Sequence, residues 1–281
     1  MFHKAKECYV RDEFGNRYFD LRRADNITGH SHKKLTTQIK NAVSNLLTLD
    51  LPTVYHKRYR KIISGLTPSG LYELRFFSSV QEFLLKITSL YASIEPDNIC
   101  IENFLVNHGI KKGNGIKLYD FTVKPCLDVQ KSNSIAWYYN FPRLLDENNI
   151  AQADCIVLPA LYTGYTGGCA VLINRNLKDL INICRPLEET PAIVFATAIA
   201  FYYKTKALQE QKCFEFHNEK FWINDRVFVL KEEYQNEMQD VAASLKSNGI
   251  IINTLAPYYN YIPLTLDIHE IRRIKNALEN C

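Results

Sequence analysis

The chain has 281 residues, 47% of them hydrophobic and 23% charged, with 11 glycines and a formal net charge of +4. That length can bury a substantial core, in one large domain or two closely packed ones, and the composition excludes wholesale disorder. The charge balance is mild and by itself argues for neither nucleic acid nor membrane as a partner, since a nucleic-acid binder shows a clustered basic face; the densest basic stretch, His56 to Lys61, reads as a solvated helix face.

In chain order, CYVRDEFGNRYFDL (8–21) predicts two strands around a turn at Glu13 to Asn16, where Gly15 can take a positive φ. Leu35, Ile39, Ala42, Val43, Leu46 and Leu47 recur at helical spacing and define an amphipathic helix. A second helix over 55–66 is stopped by Gly65 and Pro68. LYELRFFSS (71–79) reads as a strand, VQEFLLKITSLYA (80–92) as a helix and NICIENFLV (98–106) as another strand. Residues 107–120 form a polar, glycine-containing loop whose Gly-x-Gly lacks the Gly-Lys-Ser/Thr of a phosphate loop, so a nucleotide site is not expected there. PCLDVQ (125–130) is assigned to a short strand and FPRLLDENNI (141–150) to a helix.

The next stretch, ADCIVLPALYTGYTGGCAVLI (153–173), reads as a buried strand, a glycine-rich turn and a second buried strand. It looks like an active-site loop, yet between Asp154 and Arg175 there is no Lys, His, Glu or Arg. NLKDLINIC follows, and the segment 190–211 is apolar on most faces as far as Tyr203, as in a helix buried in a core or an interface. Residues 232–255 give a helix and then a strand after Gly249, and 266–280 close the chain with an amphipathic helix capped by Asp267, with Glu270 as its capping-box partner. This alternation predicts an α/β chain with a smaller α+β part built from both ends.

Eight cysteines, at 8, 100, 126, 155, 169, 184, 213 and 281, form no C-x-x-C pair and no zinc spacing, which fits reduced thiols. The N-terminal residues carry no apolar signal core and no apolar run has the length of a bilayer span. A cytoplasmic location is the expectation.

The motifs in their order resemble class III aminotransferases, the fold type I enzymes that use pyridoxal phosphate. The hairpin with Asp12, Gly15, Tyr18 and Asp20, followed by Gly29, His30 and His32, is similar to that family's D-x-x-G-x-x-Y-x-D and G-H-x-H opening. LTLDLPT (47–53) is similar to a segment of the 2,4-diaminobutyrate aminotransferase branch, and the C-terminal strand and helix with their Pro-Leu resemble the family's closing unit. The resemblance implies a fold type I architecture with a shortened large domain, a central mixed sheet flanked by helices, and a small α+β domain from both termini. The corresponding boundaries are 1–56 for an N-terminal part of the small domain, 57–206 for the large domain and 207–281 for the C-terminal small domain.

Carried over position by position, the resemblance also explains the bare loop. The family's Schiff-base lysine ends the strand before the glycine-rich turn, and Ala160 stands there. A methyl group neither forms an imine nor shuttles a proton. In the phosphate-cradling S-G-x-E-A turn, Ser79 and Glu82 are kept while the glycine is Val80. The aspartate that holds the pyridinium nitrogen is matched by Leu127, with Asp128 one residue off and so facing the other side of a strand. Pro186 replaces the phosphate-binding threonine, and Tyr259 falls near the arginine that grips a substrate carboxylate. The segment between Ser79 and Ala160 is also shorter than in the family.

These losses imply a chain that kept the aminotransferase architecture and lost its cofactor site, acting through partner or ligand binding, with a place beside an amino-acid or natural-product biosynthetic enzyme as the expectation. Its expected partners are a second copy, an active aminotransferase-like subunit, or a small molecule, without nucleic acid or membrane. The candidate pocket comprises Ser79, Glu82, Asp128, Tyr162, Tyr165, Cys169 and Tyr259. Two other readings stand beside it. One is pyridoxal-phosphate-independent chemistry using Cys126, Cys155 or Cys169 with His30, His32 or His108 as base. The other is residual transamination through a displaced lysine, Lys124 or Lys131. No metal site is expected.

Overall fold

Three strands open the chain: β1 (Phe2–Lys6), β2 (Tyr9–Asp12) and β3 (Arg17–Asp20), paired antiparallel in that order. The β2–β3 turn forms because Asp12 Oδ1 accepts from the amides of Phe14 (3.0 Å) and Asn16 (2.8 Å), while Gly15 sits at φ 85°. This computed structural model describes residues 1–22, 30–31, 33, 36–37, 40–41, 44, 57, 60–61, 70–77, 79–121, 133–137, 153–159, 169–183, 216–224, 226–255, 258–263 and 266–281. The helices expected over 35–47, 55–66, 141–150 and 190–211, and the strand expected over 125–130, lie wholly or largely outside those residues.

β4 (Tyr72–Phe77) leads into helix α1 (Val80–Tyr91), both where the sequence predicts them. α1 starts at Ser79 because its Oγ accepts from the Glu82 amide at 3.0 Å, and its inward face buries Phe83, Leu84 and Ile87. A three-residue strand β5 (Ile94–Pro96) follows. The next segment corrects the sequence expectation: NICIENFLV is not a strand but helix α2 (Ile99–Asn107). Asn98 caps it by accepting from the Ile101 amide at 3.0 Å, and Cys100, Ile101, Phe104 and Leu105 are buried at helical rather than alternating spacing.

The loop after α2 gives way at Ile116 to strand β6 (Ile116–Asp120), so only its first part is loop as expected. Two of its glycines, Gly113 and Gly115, answer to packing. A Cβ on Gly115 would lie 2.0 Å from the Ser93 carbonyl oxygen, and one on Gly113 would lie 3.0 Å from Ser93 Oγ. Strands β7 (Ser134–Trp137), β8 (Cys155–Pro159) and β9 (Cys169–Asn174) complete a six-stranded sheet of order β4-β9-β8-β7-β6-β5, and helix α3 (Lys178–Ile183) follows β9. β5 to β8 are mutually parallel, and β9 runs antiparallel to both β8 and β4. Cys169 through Ile173 are all buried, the unbroken apolar run of a strand covered on both faces.

The hairpin β10 (Phe221–Asn224) and β11 (Val227–Leu230) was not foreseen from the sequence. A 3-10 turn, Glu232–Glu237, then feeds helix α4 (Met238–Ser247), as expected in outline. β12 (Ile250–Ile251) joins β3 in parallel, with Ile250 opposite Phe19, so the two ends of the chain share one sheet. β13 (Asn260–Tyr261) pairs with β11, and helix α5 (Ile268–Glu279) carries the predicted capping box of Asp267 and Glu270.

Two apolar clusters result. One surrounds the six-stranded sheet; the other gathers Phe19, Leu21, Val241, Leu245, Ile271, Ile274 and Leu278 from both ends of the chain. β11 serves both, because alternate side chains leave opposite faces of a strand: Val227 and Val229 enter the first, Phe228 and Leu230 the second.

Candidate functional site

In open α/β sheets ligands bind beyond the carboxyl ends of the parallel strands. Here that edge is reached by Phe77 of β4, Pro96 of β5, Asp120 of β6, Trp137 of β7 and Pro159 of β8, with Cys169 starting β9 opposite Phe77 and Pro159.

Ser79, Glu82 and Cys169 are brought together on the β4–β9 side of this edge. Ser79 Oγ is committed to the α1 cap, and Glu82 pairs with Lys86 at 3.2 Å, one turn along the helix. The Cys169 thiol is fully buried, and burial, with a smaller push from the Glu82 charge, holds it well above the ordinary thiol range. Cys155 is likewise fully buried, inside β8. Neither has the exposed, electropositive surroundings of a reactive thiol.

On the β6 side lies a polar cluster. Asp120 is 2% exposed and accepts hydrogen bonds from the hydroxyl of Tyr259, itself 1% exposed, and from Asn98 Nδ2 at 3.0 Å. Its own amide donates to Asp97 Oδ2 at 3.4 Å. Asn98 therefore acts twice, capping α2 through Oδ1 and holding Asp120 through Nδ2. Cys100, the second residue of α2, has its thiol pushed up to about 12 by burial and then by the negative charges of Asp120 and Glu232. Sequence reasoning placed Tyr259 in the pocket but missed Asp120 and Asn98; the available signal was an acidic residue ending the apolar run Ile116–Asp120.

The other expected pocket residues, Asp128, Tyr162 and Tyr165, and Ala160 itself, lie outside the described residues. Leu127 and Asp128 fall in the connection between β6 and β7, and the strand flanking β8 is β7, which sequence reading overlooked. The histidines are dispersed. His30 Nε2 lies 3.2 Å from Asp20 Oδ2 beside the N-terminal sheet, and His108 donates from Nδ1 to the Phe104 carbonyl at 2.8 Å and stacks on that ring. His32 and Cys126 are not among the described residues.

Pyridoxal phosphate, the group this architecture implies, needs an amine at this edge for its aldehyde and free donors for its phosphate. Among the described residues at this edge, Phe77, Ser79, Pro96, Asp97, Asp120, Phe121, Trp137, Pro159 and Cys169, none is Lys or Arg. Ser79 Oγ accepts the α1 cap hydrogen bond, and Asp120 is held by Tyr259 and Asn98. The one buried side-chain polar atom without a partner among the described residues, Ser134 Oγ, begins β7 at the far end of that strand. The described residues at these strand ends supply no amine for the group. The described residues as a whole gather no cluster of His, Cys, Asp and Glu suited to a metal ion, and contain no helix long and apolar enough to cross a membrane.

Compared with solved structures, the chain matches the fold of class III, fold type I, aminotransferases along its whole length. It is similar to the adenosylmethionine-8-amino-7-oxononanoate aminotransferase of Methanocaldococcus jannaschii DSM 2661, with 14% identity, a TM-score of 0.67, and coverage of 100% of this chain and 93% of that one. The ornithine aminotransferase of Toxoplasma gondii ME49 matches at 15% identity and a TM-score of 0.67, covering 100% and 89%. A beta-phenylalanine aminotransferase from Variovorax paradoxus matches at 13% identity and 0.63, covering 100% and 86%. No protein-family model matches the sequence. No curated protein matches it either.

Proposed function

We propose that this chain is an aminotransferase-like protein that has lost the pyridoxal-phosphate lysine and reuses the fold to bind a partner or a small molecule, within an ancestry near the 2,4-diaminobutyrate aminotransferase branch. The observation that carries the reading is the end of β8: the strand stops at Pro159 on the ligand-binding edge, and the next residue is Ala160. The self-satisfied Asp120 cluster supports it, because it binds the chain to itself at an edge where a cofactor would need free groups. Fold outlives site in such cases. The division into 1–56, 57–206 and 207–281 belongs to the same proposal, as does assembly into a homodimer or a heterodimer with an active relative.

Pyridoxal-independent thiol chemistry gains nothing from the buried Cys155 and Cys169. A displaced lysine has one favourable feature: Lys124 and Lys131 lie in the connection that leaves β6 at the carboxyl edge. Native mass spectrometry of the purified protein tests the reuse. The proposal predicts an assembly heavier than the 32.5 kDa monomer, or a retained ligand. A bare monomer with transaminase activity restored by added pyridoxal phosphate would overturn it.

A further inference from the structure

A concavity lies away from the sheet edge, between the C-terminal end of α4 and one face of α5. It is an open groove of about 590 Å3 lined by the exposed Arg272, Arg273 and His269 together with Asn248, Asn276 and Asn280. No carboxylate is among its lining residues. Its volume falls within the ~300–1,000 Å3 range of metabolite sites.

The charges of α5 are distributed unevenly around the helix. Asp267 and Glu270 are engaged in the capping box, and Glu270 also accepts from the Tyr9 hydroxyl. Glu279 lies 3.7 Å from Lys275 and accepts from the His217 amide at 3.4 Å. None of these acids lines the cavity. Arg273 is held in place: it donates to the Asn248 carbonyl at 3.1 Å at the end of α4 and rests over the Phe19 ring at 5.4 Å. Arg272 and His269 have no side-chain hydrogen bond or ion pair among the described residues. Asn276 follows Arg272 by one helical turn, so its amide shares that face. The amides of Asn248 and Asn280 donate to the Ser244 and Asn276 carbonyls at 3.0 and 2.6 Å, which leaves a fixed guanidinium, a second one, an imidazole and the Asn276 amide around one acid-free space, and Arg forks match the oxygens of phosphates and carboxylates.

We infer that this α4–α5 cavity binds a small oxyanion ligand, a phosphate or polycarboxylate, through Arg272 and Arg273 with Asn276 and His269 as supporting donors. The site is independent of the pyridoxal question, since it uses neither the sheet edge nor any residue of the proposed lost site.

Titration calorimetry of the full-length protein with inorganic pyrophosphate and, separately, citrate tests this. Saturable one-to-one binding of either is expected, pyrophosphate alone assigning a phosphate site and citrate alone a carboxylate site. Arg272→Ala should weaken it at least about tenfold, the loss of one charge-assisted hydrogen bond. Asn276→Asp, which places a carboxylate in the cavity, should weaken it as much, while Arg11→Ala on the exposed face of β2 should leave it unchanged. Circular dichroism of each variant confirms that it is folded. Absence of binding by both anions, or equal weakening by Arg272→Ala and Arg11→Ala, would overturn the inference, the latter because it marks unspecific attraction to net positive charge.

Discussion

The hydroxyl of Tyr259 donates to Oδ2 of Asp120 across 139 positions of sequence, and both side chains are almost wholly buried. The contact fastens the segment between β12 and β13 to the end of β6, at the edge where related folds keep a ligand. Buried charge is costly unless hydrogen-bonded, so removing a donor should be felt globally. Tyr259→Phe is expected to lower unfolding stability by about 1–3 kcal/mol in urea titration, without changing any spectrum in the presence of pyridoxal phosphate. A neutral effect would mean that the cluster does not hold the edge closed.

The two polar helix starts at this edge should respond unequally. Ser79 only caps α1, and Ser79→Ala should cost about 1 kcal/mol. Asn98 caps α2 and also donates to Asp120, so Asn98→Ala should cost clearly more. Equal losses in parallel denaturant titrations would show that the Asn98–Asp120 bond contributes nothing.

The thiols offer a direct chemical check. Cys155 and Cys169 are fully buried, and Cys169 is held well above the ordinary thiol range. Alkylation of the native protein at pH 8 followed by peptide mass spectrometry should leave both unmodified, and urea should expose them. Rapid native labelling of either would revive thiol chemistry at the edge.

Acid sensitivity should come partly from Asp20. Burial opposes its ionisation, but hydrogen bonds from Arg22 (2.7 and 3.0 Å) and His30 (3.2 Å) outweigh that and hold the carboxyl well below its usual range. A depressed folded-state pKa adds stability that is present above the unfolded value near ~4 and lost as pH falls through the folded one. Asp20→Asn should therefore lower stability at neutral pH and flatten its decline below about pH 4, measured by thermal unfolding across pH.

Much of this architecture was legible where local signals agreed. The Asp12–Gly15 turn, the Ser79 start of α1, the paired strands β8 and β9 and the Asp267 cap all rest on short-range chemistry that the sequence displays. The misreadings share a physical cause. α2 is short and mostly apolar, and only its tertiary partners and the Asn98 cap decide between helix and strand. β5 and β7 have three and four residues, too few for a periodicity to emerge, and they exist because neighbouring strands pair with them. The Asp120 cluster joins residues distant in sequence, so no local pattern announces it, and Tyr259 entered the sequence reading only through its place in the order of motifs that the resemblance implies.

The central claim, that Ala160 marks a lost cofactor site, is tested most directly by incubating the protein with pyridoxal phosphate, recording the visible spectrum, reducing with borohydride and measuring the intact mass. The account predicts no internal-imine absorbance band and no stoichiometric adduct. A single phosphopyridoxyl group on one lysine, Lys124 or Lys131 above all, would contradict it and identify the replacement amine.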